Sequence, residues 1–186
     1  PLAFLAMALF AVSMYRKGEK KHPNKIALNW TLGTAIVSFV GAGLLGLAHT
    51  LPGVNMYTHG TLVTAMHGHL AFWGAYAMIV LAIISYALPN LTGRKLFDTM
   101  TGQLAFWLSN IGMIGMTAAF GVAGVAQVYL ERKVGLEFGD VQTEIQPHFF
   151  VLVACATLFT SGIICYIYEF IKYGTPNDEA LVEEAK

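Results

Sequence analysis

The stretch that decides the fold runs from Ile26 to Gly93 and reads IALNWTLGTAIVSFVGAGLLGLAHTLPGVNMYTHGTLVTAMHGHLAFWGAYAMIVLAIISYALPNLTG, without one Asp, Glu, Lys or Arg. Two further uncharged stretches run from Thr99 to Leu130 and from Ile145 to Tyr168. About 20 apolar residues suffice to cross a bilayer as a helix, so the first stretch is long enough for two crossings. The sequence LPGVN at residues 51–55 predicts a turn between these crossings.

The overall composition also favours a membrane protein. Hydrophobic residues make up 56% of the 186-residue chain and charged residues 12%, where soluble domains carry roughly 25% charged residues. Lys plus Arg and Asp plus Glu number 11 each, so no net basic field exists to bind nucleic acid. We therefore predict an all-α integral membrane protein whose surroundings are the lipid bilayer.

The predicted architecture is a polytopic transmembrane helix bundle of about five spans, the first of them partial. We place helices near 1–15, 28–51, 58–89, 103–130 and 147–171, within a single transmembrane domain covering 1–186. The chain opens with Pro1 inside an apolar run, without an initiator Met or a charged segment before it. We therefore expect a fragment of a larger polytopic protein rather than a signal peptide.

The distribution of basic residues predicts the orientation, because Lys and Arg accumulate in cytoplasmic loops. Alternate connections carry nine basic residues against two. The richer set is the loop after the first span, the loop at Arg94 and Lys95, and the C-terminal tail. The poorer set holds Arg132 and Lys133. We expect the C-terminus in the cytoplasm and the loop of Arg132, which is mildly acidic, on the outer side.

Histidines are the informative residues, since ionisable groups inside a membrane are costly and mark functional sites by default. Four of the six lie in the uncharged stretch, at positions 49, 59, 67 and 69. We interpret His49 as a hydrogen-bonded interface residue. His22 falls in the lysine-rich loop and is expected to be a surface residue. His148 follows Pro147 and is expected at a helix start near the interface.

The spacing of His67 and His69 separates their side chains. On a helix, two residues turn through about 200°, so the two imidazoles leave opposite sides. One metal ion cannot bind both, but two cofactors flanking the helix could each take one, and imidazole is an axial ligand of haem iron. Gly68 leaves room between them. Pore-lining histidines or buried hydrogen-bonded histidines are the alternatives.

Three groups near the outer end of this helix belong to the same hypothesis. His59, eight residues before His67, is expected about 12 Å nearer the outer surface, where haem propionates could reach water. Arg132 either pairs with a propionate carboxylate or is an ordinary interfacial arginine. The hydroxyls at positions 58, 61 and 64 are expected to bond to the backbone rather than to propionates.

The sequence YTHGTLVTAMHGH at residues 57–69, continuing as LAFWGAYAM to Met78, resembles the tenth transmembrane helix of the haem-copper oxidase superfamily. The flanking segments LAHTLP at 47–52 and ISYALP at 84–89 are similar to those of the nitric oxide reductase branch. The resemblance covers essentially the whole chain. It implies a fold like that of the catalytic large subunit.

The resemblance also implies roles for the histidines. His67 corresponds to the proximal ligand of the high-spin haem b3, and His69 to an axial ligand of the low-spin haem b. His59 corresponds to a histidine beside the haem b3 propionates. The implied reaction converts two NO, two electrons and two protons to nitrous oxide and water.

Further implications concern groups outside the chain. Electrons would arrive from a membrane-anchored cytochrome c subunit on the periplasmic side of a bacterial inner membrane. The non-haem iron of the family is held by histidines and a nearby glutamate on helices that would precede Pro1, so the chain alone should be inactive. Two alternatives stay open: an oxygen-reducing terminal oxidase of the same superfamily, and a transporter or channel with pore histidines.

Overall fold

The computed structural model describes residues 2–17, 24–93, 97 and 99–174, and every regular element in these ranges is a helix. In chain order they are α1 (Leu2–Lys17), α2 (Lys25–Thr50), α3 (Pro52–Thr58), α4 (Leu62–Thr92), α5 (Met100–Val134) and α6 (Phe138–Gly174). Four helices, α2, α4, α5 and α6, are long and apolar enough to cross a membrane. The predicted all-α polytopic membrane fold is confirmed.

The turn region before α4 differs from the prediction. The chain turns at Leu51, as expected, but residues 52–58 then form the short helix α3, which begins with Pro52 in its first turn. The next helix begins at Leu62 and not near 58, because Gly60 adopts a positive φ of 75° and Thr61 caps the new helix. His59 therefore lies in a turn before α4 and not on the same helix as His67.

The last helix begins nine residues earlier than the predicted start at Pro147. Val141 and Ile145, four residues apart, are fully buried and pack with Ala123 of α5. This buried stripe makes the polar segment helical, and Pro147 is accommodated inside α6. The expected outer loop accordingly shrinks to residues 135–137. His148 lies well inside α6 rather than at its start.

Helix ends follow local capping chemistry. At the start of three helices, a side-chain oxygen accepts a hydrogen bond from a backbone N–H. The accepting oxygens belong to Asn24 at α2, Thr61 at α4 and Thr99 at α5. Gly93 and Gly135 adopt left-handed conformations at the ends of α4 and α5. Asn, Thr and Gly are residue types that indicate helix boundaries in a sequence.

The centre of the bundle is an aromatic cluster to which four helices contribute. Trp30 of α2 is 1% exposed and makes edge-to-face contacts with Trp73 of α4, Phe106 of α5 and Tyr166 of α6. The ring centroids are 6.1, 5.0 and 5.9 Å from that of Trp30. Such contacts add to the stabilisation from buried area, so Trp30 fixes the mutual arrangement of the helices.

Glycines allow α2 and α4 to approach closely. A Cβ on Gly41 would lie 2.7 Å from the backbone carbon of Leu70, and one on Gly74 would lie 2.7 Å from the backbone nitrogen of Ser38. No side chain fits at either position, and the two helix backbones touch. Small residues such as Gly41 let neighbouring helix backbones approach this closely.

The predicted orientation depends in part on residues that lie outside the described part of the chain, namely Lys20, Lys21, Arg94, Lys95 and Lys186. His22, which is expected to be a surface residue, also lies outside it. Among described residues, Lys25 and Lys172 lie at one end of the bundle. Arg132 and Lys133 lie at the other end, near the end of α5. The direction of the chain across the membrane stays a prediction.

Replacing Trp30 by Ala should destabilise the bundle by about 3–5 kcal/mol, because it empties the centre of the aromatic cluster. The matched control is Trp107→Ala, since Trp107 is 56% exposed on α5. Thermal denaturation of the detergent-solubilised protein would measure both. Equal losses for the two variants would contradict the central role of Trp30.

Candidate functional site

His67 and His69 contact different helices, as their spacing predicts. The His67 ring is half-buried against α2, and its Nδ1 lies 2.9 Å from the Gly41 carbonyl oxygen. The His69 ring lies against Phe120 of α5 at a centroid distance of 4.9 Å, and its Nδ1 lies 2.8 Å from the carbonyl oxygen of Ala65. The two imidazoles are thus held on separate sides of α4.

The partners of the two Nδ1 atoms determine the chemistry that remains at each ring. A carbonyl oxygen only accepts, so Nδ1 must carry the hydrogen and donate it in both residues. In the neutral imidazole this leaves Nε2 with a free lone pair. Metal-bound histidines typically have this arrangement, in which the second nitrogen donates to a carbonyl and fixes the ring. Each histidine therefore presents an Nε2 lone pair that could bind a metal ion or a haem iron.

An apolar cavity of about 550 Å³ opens beside His69. Its lining comes from α4, α5 and α6 and consists of Ala65, Gly68, His69, Phe72, Trp73, Ala77, Met113 and Phe159. The indole N–H of Trp73 donates to the Asn110 side chain at 3.2 Å, so its hydrogen-bond partner is a residue outside the cavity lining. His69 places an imidazole in an otherwise apolar lining, and a flat hydrophobic macrocycle would require such an environment.

Gly68 separates the two histidines, and a Cβ there would meet no atom within 4 Å. Both Gly68 and His69 are exposed in the described chain. This open flank contrasts with Gly41 and Gly74, where another backbone fills the space. The interpretation that Gly68 leaves room beside the helix agrees with this geometry.

The His67 side of α4 carries a second histidine that the sequence interpretation treated only as an interface residue. The ring of His49, near the end of α2, stacks on that of His67 with centroids 4.8 Å apart. Its Nδ1 lies 2.8 Å from the Leu45 carbonyl oxygen, so the expected hydrogen bond is present. Its Nε2 is buried and has no hydrogen-bond partner among the described residues. Sequence spacing does not show this contact because the two residues are on different helices.

Each π-helical segment of the described chain adjoins a predicted site residue. Phe39–Leu45 contains Gly41, the partner of His67, and Trp73–Ala77 lines the cavity of His69. Leu130–Val134 contains Arg132. Wide helical turns of this kind occur frequently at functional sites, where they re-aim backbone and side chains.

His59 and Arg132 are exposed and belong to the same end of the bundle. The side chain of Gln127 on α5 accepts the backbone N–H of Leu62 at 2.9 Å and donates to Glu131 at 2.9 Å. This bridge holds the start of α4, three residues after His59, against the end of α5. Both candidates, His59 and Arg132, therefore flank one junction between the two helices.

The three threonine hydroxyls bond to backbone, as expected. Thr58 donates to the Val54 carbonyl at 3.0 Å, while Thr61 and Thr64 both donate to the Thr58 carbonyl at 2.7 and 2.8 Å. These bonds stiffen the turn that carries His59. They leave the hydroxyls engaged within the chain.

Glu169 is a buried carboxyl that the sequence interpretation used only as the end of an uncharged stretch. It is 2% exposed near the end of α6, and its Oε2 has no hydrogen-bond partner among the described residues. It lies toward the opposite end of the bundle from His59. A single acid at a span boundary gives no sequence signal that it is buried.

Comparison with known proteins defines the family. Residues 2–158 match the family model described as cytochrome c and quinol oxidase polypeptide I. The chain belongs to this family. It is an oxidoreductase chain of the haem-copper oxidase superfamily, a group of multi-pass membrane proteins that bind haem.

Similarity to individual members of this oxidase family differs in extent. The chain is 42% identical to a nitric oxide reductase subunit of Stutzerimonas stutzeri over 94% of its own length and 38% of that protein. It is 28% identical to a probable cytochrome c oxidase subunit 1 of Bradyrhizobium diazoefficiens, over 82% of this chain and 22% of the relative. It is 31% identical to cytochrome bo(3) ubiquinol oxidase subunit 1 of Buchnera aphidicola, over 56% and 17%. The chain thus spans well under half of these relatives.

The residues present fit haem better than a protein-bound metal ion. No group of three or more His, Cys, Asp or Glu side chains in the described ranges could hold a metal ion. A haem would need only one nitrogen from each histidine, because the macrocycle itself supplies four more. His67 and His69 each offer that nitrogen, and the cavity beside His69 is apolar.

Replacing Gln127 by Leu should loosen the start of α4, because the amide N–H of Leu62 then lacks its side-chain acceptor. An unsatisfied buried donor costs about 1–3 kcal/mol. Hydrogen–deuterium exchange should become faster at residues 62–66. Gln146→Leu is the matched control, since Gln146 is exposed on α6. Unchanged exchange at residues 62–66 would show that Gln127 does not hold this junction.

Proposed function

We propose that this chain is part of the haem-containing catalytic subunit of a nitric oxide reductase. The observation that carries the proposal is the pair of imidazoles on α4, tied through Nδ1 to separate carbonyls and directed to opposite sides. His67 would be the proximal ligand of haem b3 and the catalytic residue of this chain. His69 would be an axial ligand of the low-spin haem b.

The reaction proposed for the whole protein is the reduction of two NO to nitrous oxide and water, with two electrons and two protons. The bound haems would supply the electron-carrying and NO-binding chemistry. The chain's own contribution is to hold the two imidazoles of His67 and His69 on one helix, which would keep two bound haems at a fixed separation. The greater identity to the nitric oxide reductase chain than to the oxidase chains supports NO over oxygen as substrate.

The outer end of α4 and α5 would serve the propionate groups. His59 and Arg132 are exposed donors flanking the junction that Gln127 holds together. Positively charged or N–H donor groups stabilise carboxylates through charge-assisted hydrogen bonds. We assign both residues to the cofactor-binding set on this ground.

The remaining parts of the proposal concern the assembled enzyme. Electrons would come from a membrane-anchored cytochrome c subunit on the periplasmic side of a bacterial inner membrane, with the C-terminus of this chain in the cytoplasm. The ligands of the non-haem iron would lie on other helices of the full-length protein. We propose that this chain is a single transmembrane domain and that it would be inactive by itself.

Optical spectra of the full-length protein, purified with its cytochrome partner, test the ligand assignments. His69→Ala should remove the low-spin haem b signal, because it deletes an axial nitrogen. His67→Ala should alter the high-spin haem and abolish NO consumption. His148→Ala is the matched control and should leave both haems intact, since His148 bonds to the Ile145 carbonyl on α6.

Two outcomes would redirect the proposal. Unchanged haem spectra in both α4 variants would refute the ligand assignment and favour a transporter with pore histidines. Loss of oxygen consumption in these variants, with no NO consumption in the wild type, would assign the chain to an oxygen-reducing oxidase. The similarity to a probable cytochrome c oxidase subunit 1 is the observation that supports oxygen reduction as the second candidate activity.

A further inference from the structure

His49 has no part in the ligand set, yet its ring lies directly on the ring of His67. The two ring planes are 22° apart and their centroids 4.8 Å apart, which is a stacked arrangement. His49 belongs to the last turn of α2, and His67 to the first half of α4. The contact joins two helices at the residue proposed to bind the haem b3 iron.

We propose that His49 is a positioning residue for His67, holding the plane of its imidazole by stacking. If His67 binds the haem b3 iron, the plane of its imidazole would determine how the ring overlaps with the iron orbitals. This inference rests on the proposed role of His67 as a haem ligand. In this inference the His49 ring supports the face of the His67 ring, whereas the Gly41 carbonyl binds Nδ1 at its edge.

A hydrogen bond at Nδ1 sets the rotation of an imidazole but does not by itself prevent the ring from tilting. The Nδ1 bond to Gly41, 2.9 Å long, anchors one edge of the His67 ring but permits the ring to tilt about that bond. The His49 ring blocks tilting toward its own side. A Cβ on Gly46 would lie 3.5 Å from Cε1 of His67, so the ring faces the α2 backbone at Gly46 across the space that a side chain would fill. Packed contacts of this kind lock the orientation of metal ligands.

The chemistry of His49 explains why its own ring can serve as a fixed surface. Its Nδ1–H donates to the Leu45 carbonyl at 2.8 Å, which fixes the rotation of the imidazole relative to α2. Its Nε2 is buried without a hydrogen-bond partner among the described residues. A side chain present only to satisfy polar groups at the helix interface would not leave that nitrogen unpaired.

Substitutions at position 49 can test the ring of His49 and its Nδ1–H donor separately. His49→Asn keeps a donor near the position of Nδ1 and removes the ring, while His49→Phe keeps a planar ring and removes the donor. His49→Ala removes both. His148→Ala is the matched control, because His148 also donates from Nδ1 to a carbonyl of its own helix, at 3.1 Å.

Resonance Raman spectroscopy of the reduced full-length protein would report the iron–histidine stretching band of the high-spin haem. We expect this band to shift and broaden in His49→Ala and His49→Asn. In His49→Phe it should stay near the wild-type position, and in His148→Ala it should not move. The low-spin haem absorbance should be unchanged throughout, because His69 lies on the other side of α4.

The outcomes distinguish this inference from the proposed function. A wild-type band in His49→Ala, or a shift in His49→Phe as large as in His49→Asn, would overturn the positioning role. If His49→Ala does not accumulate, the comparison of the Phe and Asn variants decides alone. A band that persists in His67→Ala would instead overturn the ligand assignment itself.

Discussion

The backbone contact between α2 and α4 is the constraint on which the rest of the structure depends. Gly41 and Gly74 let the two helices touch, since a Cβ at either position would lie under 3 Å from backbone atoms of the other helix. The same closeness brings the Gly41 carbonyl within 2.9 Å of Nδ1 of His67. Helix packing and ligand orientation are therefore set by one interaction, and a side chain at Gly41 would disturb both.

The aromatic cluster and the cavity share residues in a similar way. Trp73 contacts Trp30 in the centre of the bundle, and on its other side it lines the cavity of His69. Phe159 of α6 packs edge-to-face against Trp73 at 5.0 Å and lines the same cavity. The residues that stabilise the bundle thus also shape the apolar wall beside the candidate ligand. A substitution in this wall should affect stability and cofactor binding together.

Much of the fold was predictable because the bilayer limits the possible structures to a few. Long uncharged stretches must be helices in lipid, since every backbone polar group needs an internal partner. The errors occurred where local chemistry competed with that rule. At residues 52–61, Pro52 started a short helix and Thr61 capped a new one. At residues 138–146, the buried pair Val141 and Ile145 made a polar segment helical.

By itself, the sequence determined the helical membrane fold and the divergence of His67 and His69, because helical periodicity alone directs residues two apart to opposite sides. It also determined the family, through the segment around these histidines. Only the tertiary structure decided which carbonyl binds each Nδ1, that His49 stacks on His67, and that Glu169 is buried. These contacts, apart from the local one of His69, join residues on different helices. The distances between these residues depend on how the helices pack, and the spacing of residues along one helix contains no information about that packing.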